Sequence, residues 1–224
     1  MKFKAAILYK SKHDLTVDHV IIKDKLKWGQ VLVKINYSGI CGSQINEIDA
    51  IKGPDNFLPH LLGHEGSGEV VEVGPGVKRM KVGDEVILHW RKGVGIESET
   101  PKYYCQNKII NAGWVTTFNE FAIVSENRLT VFDKMKISPI EATLLGCAIT
   151  TAFGVINNDL NLNIGESILV IGLGGVGLNI VQGAKLAGAH PILGLEKKKI
   201  KTRFSKKNWF RFWINKSSCF KKNN

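Results

Sequence analysis

The stretch Glu166-Ser-Ile-Leu-Val-Ile-Gly-Leu-Gly-Gly-Val-Gly177 decides the fold of the second half of the chain. Its apolar run, Ile168 to Ile171, predicts a buried parallel β-strand. Three glycines follow as G-x-G-x-x-G at the turn into a helix predicted over residues 176–186. One glycine allows the tight turn, one lets the backbone approach a pyrophosphate, and one lets the helix pack on the strand. The pattern therefore predicts a phosphate site at the N-terminus of this helix.

A second predicted strand, residues 191–195, ends in an acidic residue nineteen positions after the last glycine of the motif. An acid near this spacing binds the ribose 2′-hydroxyl of NAD in dinucleotide-binding βαβ units. The alternative is a glycine-rich turn in another kind of α/β protein. The candidate cofactor-binding residues are Gly172, Gly174, Gly175, Val176, Gly177 and Glu196.

The charge of the chain is concentrated at one end. The 224 residues carry a formal net charge of +11, but the last 28 hold 11 Lys and Arg and no acid. Residues 1–196 are therefore neutral overall, and their composition is typical of a soluble enzyme rather than of a nucleic-acid-binding protein. The length is sufficient for one large or two ordinary domains.

The sequence gives no sign of export. The first residues have no long apolar core and no small-residue cleavage site, so we predict no signal peptide. Residues 167–184 carry no charge, but five glycines and three polar side chains favour a strand and helix over a membrane span. The four cysteines are widely spaced and form no C-x-x-C, which is typical of a reduced, cytoplasmic protein.

The first half of the chain has the pattern of a β domain. Short alternating segments between turn residues predict many closely spaced strands and hence a barrel-like domain. The predicted strands cover residues 3–9, 17–23, 30–38, 66–73, 85–89, 120–124 and 129–132. A short helix is expected over 41–52, irregular chain over 90–113, and two helices between 140 and 155.

Two cysteines and one histidine form a candidate metal site. Cys41 follows a predicted strand, His64 lies in Gly63-His-Glu-Gly-Ser-Gly68, and Cys147 follows Leu145-Gly146. Two thiolates and an imidazole suit zinc, and three protein ligands leave one position open, as in catalytic sites. From chemistry alone, such cysteines are more often small buried residues, and such a histidine is more often a loop residue with its hydrogen bonds satisfied.

These segments resemble the zinc-containing medium-chain alcohol dehydrogenase family. The resemblance runs from about Lys2 to Glu196 and also includes Val82-Gly-Asp-Glu-Val86. It implies that Cys41, His64 and Cys147 hold a catalytic zinc, that Ser43 relays the alcohol proton, and that Glu65 lies behind the metal. It also implies a GroES-like β-barrel-type domain over 1–150, followed by an incomplete Rossmann domain, a doubly wound parallel sheet, over 151–196.

The activity implied by the resemblance is hydride transfer between an alcohol or aldehyde and NAD(H), with the active site between the two domains. Zinc would act as a Lewis acid toward the alcohol oxygen. The partner expected is a small-molecule substrate, with no specific nucleic acid and no membrane. The family is homo-oligomeric, but the region that forms its dimers is missing here.

The chain departs from the family pattern at several positions. A structural zinc needs four closely spaced cysteines, and residues 90–113 contain only Cys105, so we predict one catalytic zinc and no structural zinc. The position after Ser43, usually acidic, is Gln44, and the histidine that often passes the proton on is replaced by Asn46. Within the family, the sequence is most similar to the glutathione-dependent formaldehyde dehydrogenase branch, although the missing structural cysteines argue against this placement.

Residues 197–224 do not continue the family pattern. One interpretation is a basic, aromatic arm for anionic membranes or nucleic acid. The favoured interpretation is an out-of-frame translation of an AT-rich gene. The tail would then lie outside the fold, and the chain would be a truncated dehydrogenase of little activity. Two further hypotheses remain: a zinc-independent, NADPH-using reductase of the same superfamily, and a non-catalytic protein that acts through its tail.

Overall fold

The computed structural model describes residues 1–196 and 212–215. The chain divides into two compact units, Met1–Cys147 and Ala148–Asn224. The sequence predicts this boundary near residue 150. The candidate metal ligands lie in the first unit and the glycine motif in the second. We describe each unit separately.

The first unit is built almost entirely of short strands. Two helices, α1 (Gly42–Ile48) and α2 (Pro139–Thr143), interrupt them, and α2 continues into a 3-10 turn, Leu144–Gly146. The strands are β1 (Lys2–Leu8), β2 (Thr16–Ile21), β3 (Gln30–Ser38), β4 (His60–Leu61), β5 (Glu65–Val73), β6 (Glu85–His89), β7 (Lys102–Cys105), β8 (Lys108–Asn111), β9 (Phe121–Ser125) and β10 (Leu129–Val131).

These strands form two sheets. Strands β1, β2, β7, β8 and β4 close into a barrel, and a five-stranded antiparallel sheet has the order β10-β6-β5-β3-β9. Each sheet has its own core: Phe3, Ile7 and Tyr103 are buried in the barrel, and Val33, Val70 and Leu88 in the second sheet. The barrel-like β domain predicted from the alternating pattern is confirmed.

The prediction of irregular chain over residues 90–113 is wrong in part. Strands β7 and β8 form an antiparallel hairpin in which Cys105 pairs with Lys108. The two turn residues, Gln106 and Asn107, both have positive φ, 47° and 64°. Hairpin turns of this kind usually carry glycine, so the Gln-Asn pair gave no turn signal.

Two buried charged side chains of the 3-10 turn Glu126–Arg128 hold residues 90–100 to the sheet. The Glu126 carboxylate accepts hydrogen bonds from the amides of Lys78, Arg79 and Ile96 at 2.7, 2.8 and 2.9 Å. Arg128 donates to the carbonyl of Trp90 and, at 2.6 Å, to Glu97. Ion pairs and charged hydrogen bonds therefore fix this part of the chain.

The second unit begins with α3 (Ala148–Gly154), which runs on into a π-helical turn over Val155–Asp159. It contains β11 (Ile168–Ile171), α4 (Gly175–Leu186), β12 (Ile192–Glu196) and β13 (Phe212–Asn215). The three strands are parallel in the order β11-β12-β13. Its core contains Ile156, Leu173 and Val181. This parallel sheet with its crossover helix confirms the incomplete Rossmann fold.

The predicted burial of β11 is wrong for half of the strand. Val170 is 5% exposed, whereas Leu169 and Ile171 are 54% and 73% exposed. The cause is the face on which each side chain lies: side chains alternate along a strand, and Leu169 and Ile171 share the face opposite Val170 and its core, which the described residues leave largely open. The apolar run identified the strand correctly but could not identify what covers its second face.

Strand β13 lies within the segment that the sequence assigns to a basic tail, where it pairs with β12. The other tail residues, 197–211 and 216–224, lie outside the described residues. The hypotheses of a membrane- or nucleic-acid-binding arm and of an out-of-frame end fall on these residues and stay predictions.

Within the described residues, no single helix is long and apolar enough to cross a membrane. One bent pair, Pro139–Gly146 with Ala148–Asp159, meets the requirement by length and composition alone.

Candidate metal centre and cofactor loop

Cys41 stands at the start of α1, directly after the segment that follows β3. Its backbone is extended, with φ −99° and ψ 147°, and it occupies the N-cap position of the helix. The turn from strand to helix leaves the Cys41 side chain only partly exposed. Ser43 follows in the first helical turn and is exposed, so its hydroxyl lies close in sequence to the candidate ligand and open to solvent.

His64 is placed by a glycine that no other residue can replace without strain. Gly63 has φ +90°, and a Cβ at this position would approach the backbone nitrogens of Thr117 and Phe118 to 2.8 and 2.9 Å. Because both the backbone conformation and the space exclude a side chain, the chain before His64 can pass close to the 117–118 segment. The motif Gly-His-Glu therefore positions the imidazole at the start of β5.

Cys147 is placed by a second close approach. A Cβ at Gly146 would overlap the carbonyl oxygen of Leu88 and lie 3.0 Å from Cα of Glu65. The absence of a side chain lets the 3-10 turn after α2 press against β5 and β6. Cys147, 8% exposed, is thereby brought beside the strand that begins one residue after His64.

The three side chains meet although they are far apart in sequence. One ligand-type atom of each of Cys41, His64 and Cys147 lies within 4.8 Å of the others. Zinc bound by two thiolates and an imidazole has ligand bonds of about 2.0–2.3 Å, so the spread suits a single ion. All three residues belong to the first unit.

The imidazole of His64 is arranged as a metal ligand would be. Its Nε2 is buried and has no hydrogen-bond partner in the described part of the chain, while Nδ1 contacts the amide of Gln44. Desolvation by burial lowers the pKa of His64, which favours the neutral ring that binds metals.

Gln44 fits this role with its amide oxygen turned toward His64. A histidine that binds metal through Nε2 carries its proton on Nδ1 and donates it to a neighbouring acceptor. Gln44 is 3% exposed, and its Oε1 has no partner among the described residues. Exchanging the oxygen and nitrogen of an amide changes its shape very little, and it would give both Nδ1–H and Oε1 a partner. The residues therefore fit zinc.

The other predicted site residues lie around this cluster. Glu65, 3% exposed, is the first residue of β5, and its side chain fills the space beside Gly39, where a Cβ would lie 2.7 Å from its carboxyl carbon. Asn46 is exposed on α1. Cys105 is instead a barrel core residue, whose Sγ lies 3.4 Å from Asp18 and 3.5 Å from the Tyr9 hydroxyl.

The glycine loop has the form that the sequence predicts. Gly172 has φ +89°, and a Cβ there or at Gly175 would meet nothing within 4 Å. A Cβ at Gly177, by contrast, would overlap the carbonyl oxygen of Gly172, so this glycine lets helix α4 pack closely on β11. The amides of the first helical turn, which Gly175, Val176 and Gly177 provide, have no acceptor within the helix, and the open space at Gly172 and Gly175 suits a phosphate.

Glu196 lies at the loop, as a ribose-binding acid would. It ends β12 and is 8% exposed, and its Oε2 accepts a hydrogen bond from the amide of Leu173 at 2.9 Å. The carboxylate and the glycine turn are therefore directly connected. The residues of the second unit fit a dinucleotide.

The structure also assembles a group that the sequence reasoning missed. Glu47, Asp55 and His60 have ligand-type atoms within 4.8 Å of one another. Their spacing matches no motif, and a helix end and a loop bring them together. No signal in the sequence identified them.

Known proteins are similar to this chain in sequence and in architecture. The family model described as "Alcohol dehydrogenase GroES-like domain" matches residues 27–134. An alcohol dehydrogenase class-3 of Cereibacter sphaeroides is 29% identical over 97% of this chain and 64% of its own length. An S-(hydroxymethyl)glutathione dehydrogenase of Photobacterium damsela subsp. piscicida is 31% identical over 88% of this chain and 59% of its own length.

The fold is also found in a solved structure. The crystal structure of benzyl alcohol dehydrogenase from Acinetobacter calcoaceticus matches with a TM-score of 0.83 and 26% identity, over 97% of this chain and 65% of that one. The chain thus spans about three fifths of the length of these proteins. With the barrel and the parallel sheet, these similarities show an alcohol dehydrogenase GroES-like domain followed by part of a Rossmann fold, the arrangement found in medium-chain alcohol dehydrogenases.

Proposed function

We propose that the chain functions as a zinc-dependent alcohol dehydrogenase, which transfers hydride between an alcohol or aldehyde and NAD(H). The observation that carries this proposal is the meeting of Cys41, His64 and Cys147, from three distant segments, within 4.8 Å. Two thiolates and an imidazole leave one coordination position for a substrate, which is the arrangement of catalytic rather than structural zinc.

Each residue has a part in this reaction. Cys41, His64 and Cys147 would hold zinc, whose chemistry is Lewis acidity toward an alcohol oxygen, and the glycine loop with Glu196 would hold NAD, which supplies the hydride acceptor. Gln44 keeps the His64 proton on Nδ1, so that Nε2 stays available. Ser43 Oγ accepts the alcohol proton and passes it to solvent, to which this side chain is exposed. Glu65 supports the ligands from the buried side.

Two relatives suggest the first substrates to assay. The Photobacterium protein is named for S-(hydroxymethyl)glutathione and the Acinetobacter protein for benzyl alcohol. Both carry a terminal CH2OH group, so we propose a primary alcohol or a hemithioacetal of this kind. Oligomeric assembly, as implied by the family, stays a prediction for this chain.

The metal centre can be tested without turnover. Co²⁺ bound by thiolates absorbs in the near ultraviolet through sulfur-to-metal charge transfer, whereas cobalt held by nitrogen and oxygen alone does not. We expect this absorption at one cobalt per chain, and we expect Cys147→Ser to weaken it sharply, because one of two thiolates is lost. Cys105→Ser is the matched control, since Cys105 lies in the barrel core. An unchanged spectrum in Cys147→Ser would contradict the ligand assignment.

NADH formation then tests the reaction. Zinc-loaded protein is mixed with NAD and either S-hydroxymethyl glutathione or benzyl alcohol, beside Ser43→Ala. If the chain turns over, Ser43→Ala should lower kcat by about 10²–10⁴, the usual contribution of a positioned proton-transfer group. Zinc binding with no NADH formed would support the metal site and reject an activity of the chain as it stands.

A further inference from the structure

A second cluster of potential metal ligands lies outside the candidate zinc centre. Glu47 lies near the end of α1, Asp55 in the loop that follows, and His60 at the start of β4. Their ligand-type atoms all lie within 4.8 Å of one another. Glu47 and Asp55 also line a surface cavity of about 250 Å³, so an ion could reach them from solvent.

The orientation of His60 is fixed by its backbone. The residue is 5% exposed, and its Nδ1 lies 3.0 Å from the carbonyl oxygen of Leu61. A carbonyl can only accept a hydrogen bond, so Nδ1 carries the ring proton. In the neutral ring the lone pair is then on Nε2, the atom that faces the two carboxylates.

Nε2 of His60 is therefore close to negative charge. It lies 2.7 Å from Oδ2 of Asp55 and 3.8 Å from Oε1 of Glu47. A lone pair facing carboxylate oxygens at these distances is repelled unless a cation lies between them. That cation is either a proton on Nε2 or a metal ion.

The arrangement of the two acids favours a metal. The amide of Phe57 donates to Oδ1 of Asp55 at 2.8 Å, which leaves Oδ2 directed at His60. A proton on Nε2 can serve Asp55 but leaves Glu47 at 3.8 Å, beyond hydrogen-bond distance. It also balances only one of two negative charges, although Lys52, which lines the same cavity, offsets part of the remainder.

The environment of the acids agrees with this geometry. Burial raises the pKa of Glu47, and the neighbouring Asp55 adds to that effect against the opposing charges of His60 and Lys52. For Asp55, burial acts to raise the pKa, but the Phe57 amide and the His60 ring outweigh it and hold the pKa below its usual value. Asp55 is thus a carboxylate at neutral pH, and Glu47 gains from a nearby cation.

We propose that Glu47, Asp55 and His60 form a second site for a divalent metal ion such as Zn²⁺, Mn²⁺ or Co²⁺, with water in its remaining positions. Nitrogen and oxygen ligands of this kind suit these ions. Ligands about 2.1 Å from one ion lie about 3.0–3.4 Å apart. The 2.7 Å distance would open and the 3.8 Å distance close by a few tenths of an ångström, so small side-chain movements suffice.

The site would act on the candidate zinc centre through the backbone. It joins the end of α1, whose start carries Cys41 and Gln44, to β4, which leads directly to His64. A metal at this point would link α1 and β4, the two segments that position these ligands. It would also raise the number of metal ions per chain above the single zinc predicted from the sequence.

Cobalt titration of the full chain tests the proposal. We expect two Co²⁺ ions per chain, one with sulfur charge-transfer absorption and one without. Glu47→Gln together with Asp55→Asn should remove the second ion and keep the charge-transfer band, because the amides preserve shape but not charge. Cys41→Ser with Cys147→Ser should do the reverse. Asp49→Asn, an exposed acid on the same segment, is the matched control and should retain both ions.

Histidine NMR distinguishes the two cations. Metal-free protein is first given one equivalent of metal to fill the thiolate site and then a second equivalent. The second equivalent should shift the Nε2 resonance of His60. If the chain takes up cobalt only at the thiolates and His60 carries protons on both ring nitrogens, the cluster is an ion pair and the proposal is wrong. This result would leave the thiolate site, and hence the proposed function, unaffected.

Discussion

The two units reach their functional residues in opposite ways. In Met1–Cys147, the candidate ligands come from three distant segments, and closely packed glycines and buried side chains hold them together. In the second unit, the glycine loop and Glu196 come from one short stretch, but the sheet behind them presents the exposed apolar side chains of Leu169 and Ile171. A site assembled from distant segments therefore depends on the packing of its whole domain, whereas a local motif can form its geometry within a small sheet.

The sharpest way to break this contrast is to add a methyl group at Gly63. Gly63→Ala combines a positive φ of +90° with contact to the backbone at residues 117 and 118. We expect a loss of about 2–5 kcal/mol in the free energy of unfolding, from backbone strain and overpacking together. Denaturant titration measures the stability, and cobalt charge-transfer absorption measures metal binding at the thiolate site. Both should fall.

Two glycines provide controls for this prediction. Gly53 has φ +108° but open space around its Cβ position, and Gly42 has open space without a positive φ. Gly53→Ala should show only the strain and Gly42→Ala almost no loss. If all three variants lost the same stability, the close approach at Gly63 would not be the cause.

Glu126 offers a second test of the first unit, with a smaller expected effect. Its carboxylate accepts three backbone hydrogen bonds. Burial alone would raise the pKa of Glu126, but these bonds outweigh it and hold the pKa below its usual value. Glu126→Gln keeps the shape and loses the charge, so we expect a loss of about 1.5–3 kcal/mol at neutral pH.

The pH dependence of this effect follows from the direction of the shift. A carboxyl group with a lowered folded-state pKa contributes stability that is present above its unfolded value of about 4.3 and is lost as the pH falls through the folded value. The difference between the chain and Glu126→Gln should therefore be constant above about pH 5 and shrink in acid. A difference that grew in acid would contradict this account of Glu126.

The sequence predicted elements that depend on local pattern and missed features that depend on neighbours. The strand β6 and the edge strand β11 were predicted with their observed bounds, because their alternation or apolar run is independent of context. The hairpin of β7 and β8 was missed because Gln106 and Asn107 adopt a conformation usually reserved for glycine. The exposure of Ile171 depends on what covers the second face of β11, and a single segment does not encode that.

The candidate sites show the same division. The cofactor loop could be predicted from spacing, since all its residues serve one turn. Cys41, His64 and Cys147 carry no spacing rule, so chemistry alone left them open, and only the family resemblance joined them. Glu47, Asp55 and His60 had neither a motif nor a resemblance. Their proximity depends on the path of the chain between α1 and β4.

Neighbouring positions of β11 sharpen the comparison within the second unit. Val170→Ala should cost about 1–3 kcal/mol, because this side chain is 5% exposed and its burial is lost. Ile171→Ala should change stability by less than about 0.5 kcal/mol, because the side chain is 73% exposed. Light scattering should show less self-association in Ile171→Ala, since an exposed apolar edge strand promotes it. Equal stability losses would mean that the strand is covered on both faces in solution.

The last prediction concerns Glu196, where we expect a change in cofactor specificity and not in stability. The carboxylate lies beside the glycine turn, with Oε2 accepting the amide of Leu173. A second oxygen on the same carboxylate can accept from a ribose 2′-hydroxyl, whereas a 2′-phosphate would face like charge. We therefore predict tighter binding of NADH than of NADPH. Glu196→Gln keeps an acceptor for the Leu173 amide, so the loop should retain its form while the repulsion disappears.

The measurement is the ratio of the two dissociation constants from nicotinamide fluorescence. We expect the preference for NADH to fall by about tenfold in Glu196→Gln, equivalent to about 1.4 kcal/mol, mainly through improved binding of NADPH. Glu166→Gln is the matched control, because this acid lies in the same unit before β11 and bonds to Asn163. Tighter binding of NADPH than of NADH by the unaltered chain would contradict the assignment of Glu196 and favour the NADPH-using reductase.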